Sequence, residues 1–417
     1  MKATLPGVWP WKLAALVVVL LCFVAIGCPP SPTPEPPPPP GSWLVLLCKA
    51  SDNAAEPHPP QFYKDLFSKT APDLLFNYFD MASNHTVDLS GTEVFGWFSM
   101  MVNTDTISPA KRNNTTAVTR TQTARDCRAS ALGGIAATGK SVDPANFAGV
   151  ITVINVPVDS GDAGEKSVVV FQPESSIGFV THEMLHVYRL GHSWLASSDA
   201  SSDHTWGHGG DTEYQDCWDV MSFQTCVFTF DTASNGVQAT MLQGAYRQKL
   251  KWLPADHVKD VPLVPTSSTV KLVPVSADLA TPGIAMATVE APGRGYYTVE
   301  FRDQSGFDRG IPRPAVVIRE LRTNGRTYLV QRQGGRIDWV QGDLFTDSTN
   351  YLSIKVDSIV PGSSATVTFN TAFSAAPASA GGMCGDKYHG QVNACPTGTA
   401  CGPKRGNQIQ TIDWFCL

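Results

Sequence analysis

The sequence has few charged residues and no long hydrophobic run. Asp, Glu, Lys and Arg make up 16% of the 417 residues, and the net charge is −6. Globular proteins average roughly a quarter of such residues. No basic patch of the kind that binds nucleic acid occurs, so we expect no nucleic-acid partner. The hydrophobic content of 42% is sufficient to form buried cores, and the length predicts about two or three domains.

The N-terminal residues have the features of a secretory signal peptide. Lys2 and Lys12 precede an apolar run at residues 13–26, which is too short to span a membrane. We therefore expect residues 1–28 to be a signal peptide and the mature chain to be secreted, without a membrane span. Two alternatives stay open: a non-cleaved signal anchor, and a bacterial lipoprotein box in which Cys28 carries the lipid.

Composition divides the rest of the chain into segments. Nine of the twelve residues at 29–40 are proline, which predicts a stiff linker over residues 29–42. Residues 43–262 mix predicted strands and helices, whereas residues 263–374 contain predicted strands typical of a β-sandwich. Within the sandwich, Asn324-Gly325 predicts a type I′ hairpin turn. A linker at 375–383 leads to a cysteine-rich module at 384–417, and the predicted fold class is α+β.

The cysteine content indicates an oxidising compartment. Ten cysteines are present, and the eight that remain without Cys22 and Cys28 fit four disulfides. Cys217 and Cys226 lie close together in the sequence, so we expect a local disulfide between them. Asn-X-Thr triplets also permit N-glycosylation in a eukaryotic host.

Three histidines and a glutamate predict a catalytic zinc site. Residues 182–192 read HEMLHVYRLGH. Residues four apart lie on one helix face, so His182 and His186 can bind the same ion. His192 supplies a third ligand if the chain turns back, which leaves open the fourth position that catalytic zinc requires. Glu183 is the expected general base, because it lies beside the first ligand and can deprotonate water activated by zinc.

This segment resembles the metzincin zinc peptidases, whose HExxHxxGxxH motif is followed by a methionine-containing turn beneath the metal. Residues 213–222 resemble that turn, the Met-turn, in its gametolysin-type form, with Met221 as its methionine. The resemblance covers roughly residues 43–370. It implies a metzincin-like catalytic domain over 43–262 (a mixed sheet with an active-site helix), followed by an all-β sandwich over 263–374. The implied activity is that of a secreted zinc endopeptidase that cleaves extracellular or cell-wall proteins.

The motif departs from the family at one position. Arg189 stands where the family has glycine, and Gly191 follows two residues later. A non-glycine residue in the left-handed conformation costs about 1 kcal/mol, less than a metal bond contributes. We therefore expect the turn to be shifted rather than lost. The alternative function is a catalytically inactive metzincin scaffold that serves as a matrix or carbohydrate-binding protein. His204 and His208 are competing ligands, although their surroundings predict an exposed loop.

The C-terminal cysteines resemble a fungal-type cellulose-binding module. The resemblance implies disulfides Cys384–Cys401 and Cys395–Cys416, although the interval before the last cysteine is longer than usual. It also implies binding of cellulose or a related polysaccharide through aromatic rings, for which the candidates are Tyr388, Trp414 and Phe415. A disulfide-stabilised module without polysaccharide affinity is the alternative.

Overall fold

The computed structural model describes residues 41–371 except 71, 108–119, 158–160, 165, 173–175, 197–209, 224, 233–235, 265, 281 and 333–334, and it also describes the backbone of 401–404 and 413–416. The predicted signal peptide, the lipid site at Cys28 and residues 29–40 of the proline-rich linker lie outside these residues. Among the residues described, no helix combines the length and the hydropathy needed to cross a membrane.

The N-terminal part is built around a five-stranded sheet in the order β2-β1-β3-β5-β4. Its strands are β1 (Trp43–Lys49), β2 (Glu93–Ser99), β3 (Gly149–Ile154), β4 (Gly161–Gly164) and β5 (Ser167–Phe171). Strands β1, β2, β3 and β5 are parallel, while β4 runs antiparallel to β5. The central strands β1 and β3 are buried almost throughout, which explains their continuous apolar sequences.

Helices pack against both faces of this sheet. The helices with the most extensive contacts to its strands are α1 (Pro60–Asp65), α4 (Arg120–Ala137) and α5 (Ile177–Val187); the other helices of the described residues are α2 (Leu75–Ala82), α3 (Thr104–Ile107) and α6 (Gly244–Lys249), of which α6 contacts β13 (Gly295–Arg302). Val45 and Leu47 of β1 share a hydrophobic cluster with α2 and α5, whereas Leu44 and Leu46 share another with α4. Alternate side chains of a strand point to opposite faces, so β1 contributes to both clusters.

The C-terminal part contains two sheets packed face to face. The larger has the order β10-β12-β13-β14-β15-β6-β7 and the smaller β11-β18-β17-β16. One hydrophobic cluster takes Val299 and Phe301 from the larger sheet and Ile354 and Phe369 from the smaller. Strands β6 (Trp194–Leu195) and β7 (Thr212–Glu213) come from the histidine region; the others are β10 (Val258–Val261), β11 (Ser267–Leu272), β12 (Met286–Ala291), β13 (Gly295–Arg302), β14 (Ala315–Arg322), β15 (Thr327–Leu329), β16 (Leu344–Asp347), β17 (Leu352–Val360) and β18 (Ser364–Asn370).

Two further strand pairs complete the described residues. Strands β8 (Thr229–Asp231) and β9 (Val237–Ala239) form an antiparallel pair beside α5. In the tail, β19 (Cys401–Lys404) pairs antiparallel with β20 (Asp413–Cys416), which places Cys401 opposite Cys416 in the register. The pairing of the tail cysteines stays a prediction.

The expected α+β class is confirmed, with more sheet than helix. The hairpin at Asn324-Gly325 forms between β14 and β15, but the prediction of a type I′ turn is wrong. Gly325 has a φ of 75°, whereas Asn324 has no positive φ, and Gly325 N–H donates to the Arg322 carbonyl. A type I′ turn needs positive φ at both central residues. Here Gly325 takes the left-handed conformation after the turn instead.

The expectation of disulfide bonds is confirmed at two pairs. Cys48 of β1 is joined to Cys127 of α4, at a sequence separation of 79, and Cys217 is joined to Cys226, at a separation of nine. The first cross-link ties a central strand to the helix that covers it. The second closes a short loop at the Met-turn.

We expect the two disulfides to differ in their effect on stability. A cross-link that closes a longer loop removes more entropy from the unfolded chain. Replacing Cys48 and Cys127 with alanine should lower the free energy of unfolding by about 4 kcal/mol, and replacing Cys217 and Cys226 by about 3 kcal/mol. Denaturant unfolding of the two double variants without thiol measures both values. A larger loss from the Cys217–Cys226 pair would contradict the entropic argument.

Candidate metal centre

Helix α5 carries His182, Glu183 and His186. The helix begins after Ser176, whose hydroxyl oxygen accepts a hydrogen bond from the Phe179 N–H. Almost every residue of α5 is buried; His182 is 0% exposed and Glu183 2%. A helix buried on all sides holds its side chains in fixed positions, which a metal site requires.

The chain leaves α5 at Arg189, in the left-handed conformation expected of the family's glycine. Arg189 has a φ of 64°; its N–H donates to the His186 carbonyl, and the Leu190 N–H donates to the Leu185 carbonyl. This pair of bonds defines a Schellman motif, which Leu185 and Leu190 complete as buried apolar residues. The expectation that the turn shifts past Arg189 is therefore wrong, because the turn occurs at Arg189 itself.

His192 is positioned by bonds from its neighbours rather than by a helix. The Tyr246 hydroxyl donates to the His192 carbonyl at 3.0 Å. The following residue, Ser193, donates its N–H to the Met221 carbonyl at 3.3 Å and accepts from the Ser222 hydroxyl at 3.3 Å. These contacts hold the third histidine against the Met-turn.

The three histidine side chains converge on one point. The Nε2 atom of His186 lies 3.0 Å from Nε2 of His182 and 3.0 Å from Nε2 of His192. His182 is fully buried, whereas the other two are partly exposed, so the site is accessible from one side. The segment therefore brings together the three residues that the sequence predicted as ligands.

Hydrogen bonds at the other ring nitrogen determine the tautomer of each imidazole. Nδ1 of His182 lies 2.9 Å from the Val220 carbonyl oxygen, Nδ1 of His186 lies 2.8 Å from the Leu190 carbonyl oxygen, and Nδ1 of His192 lies 2.7 Å from a Glu213 carboxylate oxygen. All three oxygens accept hydrogen bonds, so each Nδ1 carries a proton and Nε2 is the nitrogen of each ring that can present a lone pair. Three lone pairs that face each other repel unless a cation lies between them.

The spacing of this donor set suits a tetrahedral metal ion. Three histidines close together can hold a metal ion. Zinc binds imidazole nitrogen at about 2.0–2.1 Å, and tetrahedral ligands at that distance are about 3.3 Å apart. The separations of 3.0 Å between Nε2 atoms are close to this value. Burial, and then the neighbouring His186, lower the pKa of His182 to about 3, so that ring stays neutral and available as a ligand near neutral pH.

The Met-turn packs directly beneath the histidines. Residues Val220–Ser222 form a short 3-10 helix, and Met221 is 0% exposed. A side chain at Gly178 would lie 2.5 Å from the Phe223 ring, so α5 approaches the turn as closely as glycine permits. The Cys217–Cys226 disulfide encloses this segment.

The structure adds two residues beside the histidines whose roles sequence reasoning missed. The Tyr214 hydroxyl lies 2.8 Å from Nε2 of His192, and Glu213 holds Nδ1 of the same ring. Tyr214 has a φ of 60°, which turns the chain at this point. The acidic-Tyr pair at the start of the Met-turn was the available signal, but its spacing alone does not reveal contact with His192.

A network of buried charges lies beneath the Met-turn. Arg319 of β14 contacts Asp216 at 2.6 Å and Glu300 at 2.6 Å, and Arg302 contacts Glu300 at 2.9 Å and Asp308 at 2.6 Å. All five side chains are at most 2% exposed. Burial by itself raises the pKa of Glu300, but the charges of Arg319 and Arg302 outweigh it and lower the pKa to about 2. Glu300 is therefore ionised whenever the protein is folded near neutral pH.

Other predicted site residues lie outside the described residues or are described only by their backbone. His204, His208, Tyr388, Cys384 and Cys395 fall in the first group. Trp414 and Phe415 lie in β20, of which only the backbone is described. Polysaccharide binding by the tail stays a prediction.

The ionised state of Glu300 predicts a loss of stability in acid. A carboxylate whose pKa falls from 4.5 to about 2 on folding stabilises the folded state by on the order of 3 kcal/mol above pH 4.5. This contribution to stability is lost as the pH falls from about 4.5 to about 2. The difference in unfolding free energy between wild type and Glu300→Gln should therefore shrink as the pH falls from about 5 to about 2. A constant difference, measured by denaturant unfolding across this range, would contradict the assignment.

Arg189→Gly should stabilise the protein and leave the metal site intact. Glycine removes the left-handed cost of about 1 kcal/mol but adds unfolded-state entropy, so we expect a net gain of about 0.5 kcal/mol. Lys251 is the matched control, because it has a φ of 61° at the equivalent position after α6. Both glycine variants should raise the melting temperature to a similar extent and retain bound metal. A folded Arg189→Gly variant that loses metal would show that the arginine side chain is required.

Comparison with known proteins does not extend the resemblance found in the sequence. No protein-family model matches the chain, and no curated protein matches it. The function proposed below therefore rests on the convergence of His182, His186 and His192, on the adjacent Glu183, and on the turn at Met221.

Proposed function

We propose that the protein is a secreted zinc-dependent endopeptidase of the metzincin type. The observation that carries the proposal is the convergence of three imidazole Nε2 atoms, each made a lone-pair donor by an oxygen at Nδ1. Three protein ligands with a partly exposed side are the arrangement of catalytic rather than structural zinc. The buried side chain of Glu183 follows the first ligand directly.

The residues around the site have distinct roles in peptide hydrolysis. Bound zinc supplies Lewis-acid chemistry, which acidifies water and polarises a carbonyl group. Glu183 serves as the general base that takes a proton from the attacking water and later delivers it to the leaving amine. Tyr214 places a hydroxyl beside the ligand atom of His192, where it can donate a hydrogen bond to the oxygen on which negative charge develops.

A peptide substrate is favoured by the position of β4. This strand is at the end of the five-stranded sheet and is packed beside α5, since Gly161 of β4 lies against the Phe179 ring. An extended peptide can pair its main chain with a terminal strand, which orients the scissile bond without reading its side chains. This mode of binding suits an endopeptidase better than a zinc hydrolase that acts on a non-peptide bond.

Secretion and targeting are part of the proposal. Disulfides form and persist in oxidising compartments, and the two described here agree with an extracellular protein. The cysteine-rich tail would hold the enzyme on cellulose or a related polysaccharide of the cell wall. The alternative of an inactive scaffold is less favoured, because its main support was Arg189, and Arg189 adopts the backbone conformation of the missing glycine.

Metal analysis combined with proteolysis tests the proposal. The purified protein should contain about one zinc per chain and digest casein, and a chelator should abolish the digestion. His182→Ala, His186→Ala and His192→Ala should each lose zinc. His257→Ala is the control, because His257 is buried but does not belong to the cluster.

Glu183→Gln separates catalysis from metal binding. The variant should keep zinc, since Glu183 is not a ligand, and its turnover should fall by about 10²–10⁴-fold, the usual contribution of a general base. A variant that retains zinc and full activity would place the base elsewhere. Wild-type protein that binds zinc but cleaves no protein substrate would favour the inactive scaffold.

A further inference from the structure

The Met-turn is held from below by a residue of the C-terminal sandwich. Asp216 organises the start of the turn: its carboxylate accepts the Trp218 N–H at 3.1 Å, its carbonyl accepts the Asp219 N–H, and its own N–H donates to the Ser222 hydroxyl. The same carboxylate receives two bonds from Arg319, from Nε at 2.6 Å and from Nη2 at 3.3 Å. A planar guanidinium that binds both carboxylate oxygens fixes direction as well as distance.

Arg319 also connects Asp216 to the rest of the sandwich. Its Nη1 donates to Glu300 at 2.6 Å, and the other oxygen of Glu300 accepts the Gly244 N–H at the start of α6. Arg319 and Asp216 are 0% exposed. Buried charges are costly to desolvate, and well-packed apolar residues often give equal or greater stability. This arrangement is better explained if Arg319 fixes the position of the Met-turn than if it only stabilises the fold.

The path from Arg319 to the metal site is short. Asp216 shapes the turn at Val220–Ser222, and the Val220 carbonyl accepts the Nδ1–H of His182. That hydrogen bond sets both the tautomer and the ring orientation of the first ligand. A displacement of Asp216 would move the Val220 carbonyl and so the lone pair that His182 directs at the metal.

We propose that Arg319 is a positioning residue for the metal centre, which it orients through Asp216 and the Met-turn. The inference rests on the metal site of the proposed function and extends it to the sandwich. A chain of residues 43–262 alone would lack β14 and therefore Arg319. We expect it to bind zinc weakly, because Asp216 of the Met-turn would then lack the arginine that positions it. Metal affinity, in addition to stability, is therefore a property that Arg319 controls.

Arg302 provides a matched control within the same network. It is 0% exposed, contacts Glu300, and bonds Asp308 and the Met241 carbonyl. Among the bonds that the described residues show, none joins Arg302 to residues 213–222. Lysine at position 302 or 319 keeps the charge but loses the planar donor geometry. Both substitutions should therefore destabilise the fold to a similar extent, whereas only the substitution at Arg319 alters a contact with the Met-turn.

The test compares Arg319→Lys and Arg302→Lys in the full-length protein. Zinc dissociation constants are measured by competition with a chelator, at a temperature well below both melting transitions. Arg319→Lys should weaken zinc binding by about 10–100-fold, the range for residues that orient ligands, and change the absorption spectrum of the cobalt-substituted protein. Arg302→Lys should keep the wild-type affinity and spectrum. The inference would be overturned if the two variants bound zinc with equal affinity, whether or not that affinity is below the wild-type value.

A second variant covers the case in which Arg319→Lys does not fold. Asp216→Asn retains an oxygen for the Trp218 N–H but removes the ionic contact, so it should show the same weaker zinc binding and altered cobalt spectrum. An unchanged zinc affinity in folded Asp216→Asn would also overturn the inference. Failure of the proposed activity gives a different result, namely wild-type protein that binds zinc without cleaving casein. The affinity comparison still decides the role of Arg319 in that case.

Discussion

Each of the three converging imidazoles donates its Nδ1–H to an oxygen, and the rest of the metal centre depends on this constraint. The acceptors are the carbonyls of Val220 and Leu190 and the carboxylate of Glu213. Without them, each ring could place its proton on Nε2 and hydrogen-bond to a neighbour. With them, the three lone pairs face one another at short range, and a cation is the group that relieves the repulsion.

The backbone around the histidines is arranged to supply these acceptors. The Leu190 carbonyl lies close to His186 because the chain turns through the left-handed conformation at Arg189. That conformation costs a non-glycine residue about 1 kcal/mol, which is small beside the free energy that a metal bound at such a site contributes. The hydrogen bonds that the Arg189 and Leu190 N–H groups donate at the end of the helix, and the burial of Leu190, also offset this conformational cost. Glycine at this position is therefore favoured by the backbone conformation of the turn, but the metal site does not require it.

The sequence predicted the three histidines of the cluster but not the surroundings that orient them. Histidine spacing on a helix follows from local geometry, so His182 and His186 could be assigned to one face without a structure. The acceptors for their Nδ1 protons could not, because backbone carbonyls leave no sequence signal. Arg319 was equally invisible, since its partner Asp216 is 103 residues away and only the fold brings them together. The α+β class was predictable because buried strands and amphipathic helices have different periods.

The third ligand shows how far the metal site depends on the C-terminal sandwich. Glu213 reaches His192 from β7, and β7 pairs with β6 in a register that places Glu213 opposite Trp194. Strand β6 in turn pairs with β15, where Tyr328 lies opposite Trp194. The acceptor for His192 is thus positioned by the terminal strands of the larger sheet, and that for His182 by a turn that the same sheet supports through Arg319. Since metal binding stabilises whatever holds its ligands in place, a metal bound at this cluster would stabilise the sandwich as well as the helix that carries the motif.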